Sequence, residues 1–434
     1  MDSAEPVPDK QTQKNRSCYH MQAICIAVSI LTIGLLLCVL FFLLLAPGPA
    51  PRFLPPNIEK AELRRQLGRD DENKEPDIIP IIQAIEEAFG AVERDAQGTI
   101  IGVDLALERA SATDDVLELA LTLPNLKKIR LAGSTISAEV FAQMKTQSDL
   151  EELFLQDMTI RDEDFLSVVS AFPNLSRLTL RRLANITDTG IASLLQFPAL
   201  RQLALIEIPL TGAGLQAIGA ATALTVLDVR NCAQLVPDDY KHILRQPQLV
   251  DLKIGGFAVN DQCLEIIAEL AALKALTLED SMVSAKGFEK FVSGSLSAGT
   301  LETLVLNRNM AITDDALLAL GNLPRLRRLI LTDAMITGVF LERLAEDEQK
   351  RPKFSDLALR KTFLAEEKLA VLKRYPELRS IQVSGIALSV QGIEVLLSLA
   401  QLERLDLTDC FFGEDVRQYL QELELPEVLK SFRY

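Results

Sequence analysis

Tryptophan is absent from this chain of 434 residues, and histidine occurs only twice, as His20 and His242. Because histidine is the commonest general acid/base and metal ligand near neutral pH, its scarcity weakens any case for catalysis. Basic residues are also outnumbered, 45 against 60 acidic ones, and the formal net charge of −15 would repel nucleic-acid phosphates. We therefore expect neither an enzyme nor a nucleic-acid-binding protein.

Metal-binding and nucleotide-binding patterns are also missing. The six cysteines form no CxxC pair and no zinc spacing. Acidic clusters such as Asp162-Glu163-Asp164 fall at expected helix starts, where negative charge meets the positive end of the helix dipole. Gly212-x-Gly214 lacks the rest of a dinucleotide fingerprint. Gly190, Gly214, Gly287 and Gly392 occupy the same position of four repeats, which we call the glycine column, and close packing of helix on strand explains it. We expect no cofactor, no metal and no small-molecule substrate.

One apolar run interrupts this otherwise charged chain. Gln22–Leu45 contains sixteen Ile, Val, Leu or Phe residues and no charge. As a helix of about 24 residues it would be ~36 Å long, enough to cross a hydrocarbon core of ~30 Å. A buried helix of a soluble core or a cleaved signal peptide would be shorter or more polar. Residues 22–46 are therefore predicted to form a single transmembrane helix.

The charges around this segment favour one orientation. Lys10, Lys14 and Arg16 precede it, and the positive-inside rule then places the N-terminus in the cytoplasm. Arg64 and Arg65 reduce the asymmetry. We expect a single-pass membrane protein whose C-terminal domain is extracytoplasmic.

Composition divides the rest of the chain. The stretch PGPAPRFLPPN, residues 47–57, suits an extended spacer, and the isoleucines of Asp77–Phe89 are spaced as in a helix. The predicted segments are an N-terminal tail at 1–21, the membrane helix at 22–46, a Pro-rich and charged linker at 47–76, a helix–hairpin cap at 77–99, about thirteen repeats at 100–425 and a C-terminal cap at 426–434.

Internal repetition dominates the rest. The pattern L-x-x-L-x-L returns every 24 to 28 residues, and Ile100 begins a degenerate first copy. Its later starts are Leu126, Leu150, Leu175, Leu200, Leu224, Leu249, Leu273, Leu301, Leu326, Phe354, Leu378 and Leu402. About eleven residues after each start, an apolar residue precedes a helix-capping type, as in Ile186-Thr187 and Ile336-Thr337. Each unit is thus a strand, a turn and a helix, which is one coil of a solenoid.

These units resemble leucine-rich repeats, and NITDTGIASLL (185–195) and LTGAGLQAIG (210–219) are similar to bacterial I-T-D-x-G-L arrays. The resemblance covers roughly residues 85–434. It implies an α/β horseshoe solenoid, with a parallel sheet on the concave face and helices on the convex face, that acts through protein–protein contacts. The family's Asn or Cys ladder position is matched at Cys232, Asn309 and Cys410. Other repeats depart from it, with Ser134, Met158, Ile208, Phe257 or Ala334.

A binding face follows from strand alternation. The second and third leucines of each motif point inward, so the residues between and beside them face the concave surface. Since aromatic and arginine side chains are common interface anchors, the candidate partner-binding residues are Arg130, Phe154, Arg177, Arg181, Arg230, Lys253, Arg328 and Arg360. The longer units, around residues 292–300 and 345–353, are alternative binding loops. The predicted function is membrane-anchored binding of a protein of unknown identity; the alternative is a structural envelope component whose array packs laterally.

Overall fold

A computed structural model of the chain describes residues 78–133, 136–137, 139–140, 149–170, 172–221 and 224–434, without the side chains of residues 168–170, 195–196 and 221. The predicted tail, membrane helix 22–46 and linker, and the ladder position Ser134, lie outside the described residues. Across the described ranges, no helix combines the length and apolar character that a membrane crossing requires.

Within the described residues, fifteen strands form one sheet in chain order, and every neighbouring pair except the first runs parallel. The sheet strands are β1 (Ala91–Arg94), β2 (Ile100–Leu105), β3 (Lys128–Ala132), β4 (Glu152–Gln156), β5 (Arg177–Arg181), β6 (Gln202–Ile206), β7 (Val226–Arg230), β8 (Asp251–Gly255), β9 (Ala275–Glu279), β10 (Thr303–Asn307), β11 (Arg328–Thr332), β12 (Asp356–Arg360), β13 (Ser380–Ser384), β15 (Arg404–Asp406) and β17 (Ser431–Arg433). Short strands β14 (Ala387–Leu388) and β16 (Phe411–Phe412) pair separately. The chain is an α/β solenoid; the curvature of a horseshoe stays a prediction.

The repeat leucines form the core beneath this sheet. In β4, Leu153 and Leu155 are 1% and 0% exposed, whereas Phe154 between them is partly exposed on the opposite face. The register places each motif leucine beside its counterpart, as in Leu304, Leu329 and Leu357 of three successive strands. Because alternation and register repeat together, one sheet face packs on the core and the other stays open.

Helical elements return the chain from the end of one strand to the start of the next. The α-helices are Ile78–Glu87, Asp114–Ala120, Asp162–Ser170, Asp188–Ala192, Gly212–Ala221, Asp261–Ile267, Ala285–Gly294, Asp314–Leu317, Val339–Glu346, Val390–Leu397 and Glu414–Glu422. The 3₁₀ helices are Ser193–Gln196, Pro237–Arg245, Leu318–Asn322 and Glu366–Arg374. The predicted start at Thr337 is replaced by one at Val339, because Gly338 is left-handed (φ 93°).

Carboxylates at six helix starts each tie their coil to the next one. The amide and hydroxyl of Ser284 donate to Asp261 over 2.7 and 2.6 Å. The same link joins Asp114 to Ser137, Asp162 to Thr187, Asp188 to Thr211, Asp314 to Thr337 and Glu366 to Ser389. A Cβ on Gly287 would overlap the Asp261 carboxylate. The glycine column therefore makes room for this carboxylate, which corrects the expectation of helix-on-strand packing.

The three predicted ladder positions also connect neighbouring coils. Asn309, 1% exposed, donates from Nδ2 to the carbonyl oxygens of Leu278 at 2.8 Å and Asn307 at 3.0 Å. The thiols of Cys232 and Cys410 donate in the same way to strand carbonyls of the preceding coil. Phe257 does not occupy a ladder site, because after the left-handed Gly256 its side chain is 85% exposed.

Candidate functional site

All eight predicted binding residues lie on the open sheet face. Arg130, Phe154 and Lys253 occupy the middle positions of β3, β4 and β8, between the two buried core positions of each strand. The other five flank those positions on β5, β7, β11 and β12. At ~4.8 Å between neighbouring strands, β3 and β12 are roughly 43 Å apart along the sheet. The structure therefore places the residues on one face but does not bring them into one cluster.

In the N-terminal part of the face, basic side chains contact neighbouring strands. The Arg130 guanidinium stacks 4.1 Å from the centre of the Phe154 ring, and its Nε lies 3.1 Å from Asp104. Arg177 pairs with Glu152 at 3.0 Å, and Arg181 lies 3.9 Å from Glu207. A partner would have to compete with these Arg–carboxylate contacts, although the buried Nε atoms of Arg177 and Arg181 have no hydrogen-bond partner in the described structure.

Arg230 belongs to a buried ion-pair network. Asp228 is 4% exposed and accepts from Arg230 Nε and Nη2 at 2.9 and 2.8 Å. Arg230 Nη1 also donates to Glu279 at 2.5 Å, across the strand that contains Gly255. The hydrogen bond from Arg230 to Asp228 raises the pKa of the guanidinium. Arg230 therefore links β7 to β9 across β8. Its Nε, Nη1 and Nη2 atoms already donate to protein carboxylates, so few of its hydrogen-bond donors remain for a ligand.

The remaining three candidates, Lys253, Arg328 and Arg360, differ in whether their side chains already have partners in the protein. Arg360 donates to Gln382 on the neighbouring strand. Lys253 and the exposed Arg328 form no side-chain hydrogen bond or ion pair with any described residue. Burial raises the pKa of the Asp251 carboxyl, and the charge of Lys253 on the same strand acts on that carboxylate and partly offsets the effect, so Arg328 is the candidate most available to an external partner.

Arg328 borders an apolar row. Val305, Ile330 and Ala358 occupy the middle positions of β10, β11 and β12 and lie side by side in register. The neighbouring Thr332 contributes a buried hydroxyl that has no hydrogen-bond partner in the described structure. We call Val305, Arg328, Ile330, Thr332 and Ala358 the β10–β12 patch. Val305 and Ile330 contribute partly exposed apolar area and Arg328 an exposed cation, whereas Ala358 is only 7% exposed and the Thr332 hydroxyl is buried. Apolar area beside an arginine is the composition of an interface core.

Strand alternation predicted that Val305 and Ile330 face the open side of the sheet, but they were not among the predicted binding residues. The general preference for aromatic and arginine anchors favoured other residues. A usable signal was present, since β10, β11 and β12 are consecutive strands that all have an apolar middle residue. Most other middle positions hold polar or charged side chains.

Reactive chemistry finds little support among the described side chains. Burial raises the pKa of both the Cys232 and Cys410 thiols to about 11, so both stay protonated near neutral pH. Burial likewise raises the pKa of Cys263. Within the described residues, no group of three or more His, Cys, Asp or Glu side chains is placed to hold a metal ion.

Comparison with known proteins adds a general likeness of fold. No protein-family model and no curated protein sequence matches this chain. Among solved structures, an internalin (InlF) of Listeria monocytogenes is 15% identical with a TM-score of 0.38, over 81% of this chain and 92% of that one. A chain from the yeast Rad7–Elc1 complex is 17% identical with a TM-score of 0.42, over 63% and 67%. With such low TM-scores, neither likeness carries a functional argument.

Proposed function

We propose that this chain is a membrane-tethered interaction module whose sheet face binds a protein partner through the β10–β12 patch. The supporting observation is the partly exposed apolar pair Val305 and Ile330 beside Arg328, which is exposed and forms no ion pair with a described residue. Burying this pair removes apolar area from water at about 25 cal/mol per Å², and an arginine without an ion-pair partner gains one without first losing another. The paired arginines of β3–β7 lack this advantage.

Site-specific crosslinking tests the proposal. We place a photoreactive residue at Thr303, next to the patch, in the full-length chain in its native membrane. We expect one defined protein adduct, whose yield falls about tenfold when Val305→Thr, Ile330→Thr and Arg328→Gln are combined, since loss of an interface core costs at least ~1.4 kcal/mol. Threonine keeps the β-branched shape, so the strands are preserved.

A matched variant controls for general damage to the sheet face. Phe154→Thr with Arg177→Gln removes an aromatic residue and an arginine from the same face, far from the patch. The adduct should persist in this variant. Loss of the adduct in this control alone would move the site to the N-terminal half, and an unchanged adduct in both variants would remove the sheet face from the proposal.

The proposal includes tethering by residues 22–46, with the repeats outside the cytoplasm. Its support is the uncharged segment Gln22–Leu45 and the basic residues before it. We expect the full-length chain to resist alkaline extraction from membranes, and external protease to remove a C-terminal tag from intact cells while an N-terminal tag survives. Release into the soluble fraction would contradict the anchor. A C-terminal tag protected until the cells are opened would reverse the orientation.

A further inference from the structure

A row of large apolar side chains is exposed along one edge of the solenoid. Five loops between a strand and the following helical element each place such a residue five positions after the middle residue of the strand. These residues, which we call the rim row, are Met282, Met310, Met335, Phe363 and Phe411, and they are 61%, 57%, 49%, 64% and 66% exposed. Contiguous exposed apolar surface of this kind usually marks an interaction site.

The members of the row lie on loops that follow successive strands of the sheet, interrupted only by Ala387. Ala387, at the same position of the intervening coil, pairs directly with Phe411 in the parallel β14–β16 ladder. The Met282 amide donates to the carbonyl of Val259 in the preceding coil at 2.7 Å. With one loop per strand and ~4.8 Å between strands, the row from Met282 to Phe411 is about 24 Å long.

The fold does not require large apolar residues at this position. In the N-terminal coils the equivalent residues are Thr159, Ala184, Pro209 and Ala233, whose loops lead into helical elements in the same way. Small residues therefore satisfy the turn. Methionine and phenylalanine in the C-terminal coils leave apolar area in water with no gain in packing, which points to a surface that a partner covers.

The geometry of the row suits a helix. Residues three or four apart on one helix face are ~5–6 Å from each other, close to the spacing of successive loops. At ~1.5 Å per residue, a helix of about 16 residues matches the 24 Å length. Apolar residues along one face of such a helix would alternate with the methionine and phenylalanine side chains, and methionine adapts readily to such surfaces.

Charge selects among the possible occupants. Asp333 and Asp409 lie two residues before Met335 and Phe411 on the strand side of the row. On the helix side, Glu367 is exposed, whereas the exposed carboxylates of Asp315 and Glu414 are paired with Arg343 at 2.5 Å and Arg417 at 3.8 Å. Arg308 is itself paired with Glu279 and Asp280, so Lys361 alone offsets part of the charge of Asp333, Asp409 and Glu367, and the border stays net acidic. An acidic border attracts a basic helix, whereas it repels a second copy of this chain, whose net charge is −15, and an anionic lipid surface.

We propose that the rim row, from Met282 to Phe411, docks a basic amphipathic helix of a partner protein. This site goes beyond the sheet-face function, because its apolar residues belong to loops and its recognition needs no contact with Arg328. The two sites adjoin, since Met310, Met335 and Phe363 follow β10, β11 and β12. One partner with two elements, or two partners, would fit that arrangement.

Peptide binding to the full-length chain in nanodiscs of neutral lipid tests the docking site. The probe is a leucine–lysine peptide of about 18 residues with one apolar helical face. Its comparisons are the leucine–glutamate version and a scrambled leucine–lysine version without an apolar face. We expect the first peptide to bind at least about tenfold more tightly than both others, and Met310→Ser, Met335→Ser and Phe363→Ser together to weaken it about tenfold.

The matched control removes exposed apolar residues away from the row. Leu107→Ser, Val236→Ser and Leu296→Ser change side chains that are 44%, 53% and 64% exposed, and should leave the affinity unchanged. Far-ultraviolet circular dichroism checks that both variants stay folded. Equal peptide affinity for the wild type and the row variant would overturn the proposal. So would self-association, or binding to phosphatidylglycerol vesicles, that depends on the row while the basic peptide does not bind.

Discussion

Replacing Arg230 with methionine is expected to lower the free energy of unfolding by about 3 to 5 kcal/mol, because a buried carboxylate loses its partner. Asp228 is 4% exposed, and two of its hydrogen bonds come from the Arg230 side chain at 2.9 and 2.8 Å. The variant also breaks the 2.5 Å link from Arg230 to Glu279 across β8. Urea denaturation of the detergent-solubilised full-length chain, followed by circular dichroism, measures the loss.

Two further variants separate the ion pair from the loss of an arginine. Arg404→Met removes a more exposed pair, 3.2 Å from Asp356, and should cost no more than about 1 kcal/mol. Adding Asp228→Asn to Arg230→Met should restore part of the stability, since the unpaired charge is then gone. If Arg230→Met costs no more than Arg404→Met, the network contributes little to folding and Arg230 returns as a candidate for binding.

The repeat architecture was predictable because its signal is local. Each strand depends on leucines within six residues of each other, and each cap depends on one Ser, Thr or Asn, so no distant partner had to be known. The last strand shows the limit of that approach. Leu429, Phe432 and Tyr434 have the spacing of L-x-x-L-x-L, and β17 joins the sheet beside β15. Because Phe432 and Tyr434 stand where the pattern has leucine, this copy was not recognised and was assigned to the C-terminal cap.

The candidate site was predicted less completely because its properties depend on contacts between coils. The face followed from alternation, but the state of each arginine depends on the side chains in register beside it. Glu279 lies 49 residues after Arg230. On the strand between them, a Cβ on Gly255 would come within 2.5 Å of the Glu279 carbonyl oxygen. The carboxylate behind the glycine column is likewise 26 residues away in the pair Asp261–Gly287. An alignment of the repeats on their middle strand residues would have revealed both the rim row and the apolar middle residues of β10 to β12.

Asn309→Leu is expected to lower the free energy of unfolding by about 2 to 4 kcal/mol, because the carbonyls of Leu278 and Asn307 lose a buried donor. Ser281 also loses the acceptor for its hydroxyl. Leucine has the same four side-chain heavy atoms, branched at Cγ, as asparagine and creates no cavity, so the measured loss reports mainly on hydrogen bonding. The same urea titration gives the value.

Asn309→Cys is the informative control, because cysteine already occupies this position in two other coils. The Cys232 thiol lies 3.2 Å from the carbonyl of Leu205, and the Cys410 thiol lies 3.3 Å from that of Val383. A thiol is a weak donor but still donates to the carbonyl of the preceding coil. The free energy of unfolding of Asn309→Cys should therefore lie between those of the wild type and Asn309→Leu. If cysteine and leucine destabilise equally, the hydrogen bond to the preceding coil adds no net stability. Packing of the repeat leucines alone would then hold neighbouring coils together at this position.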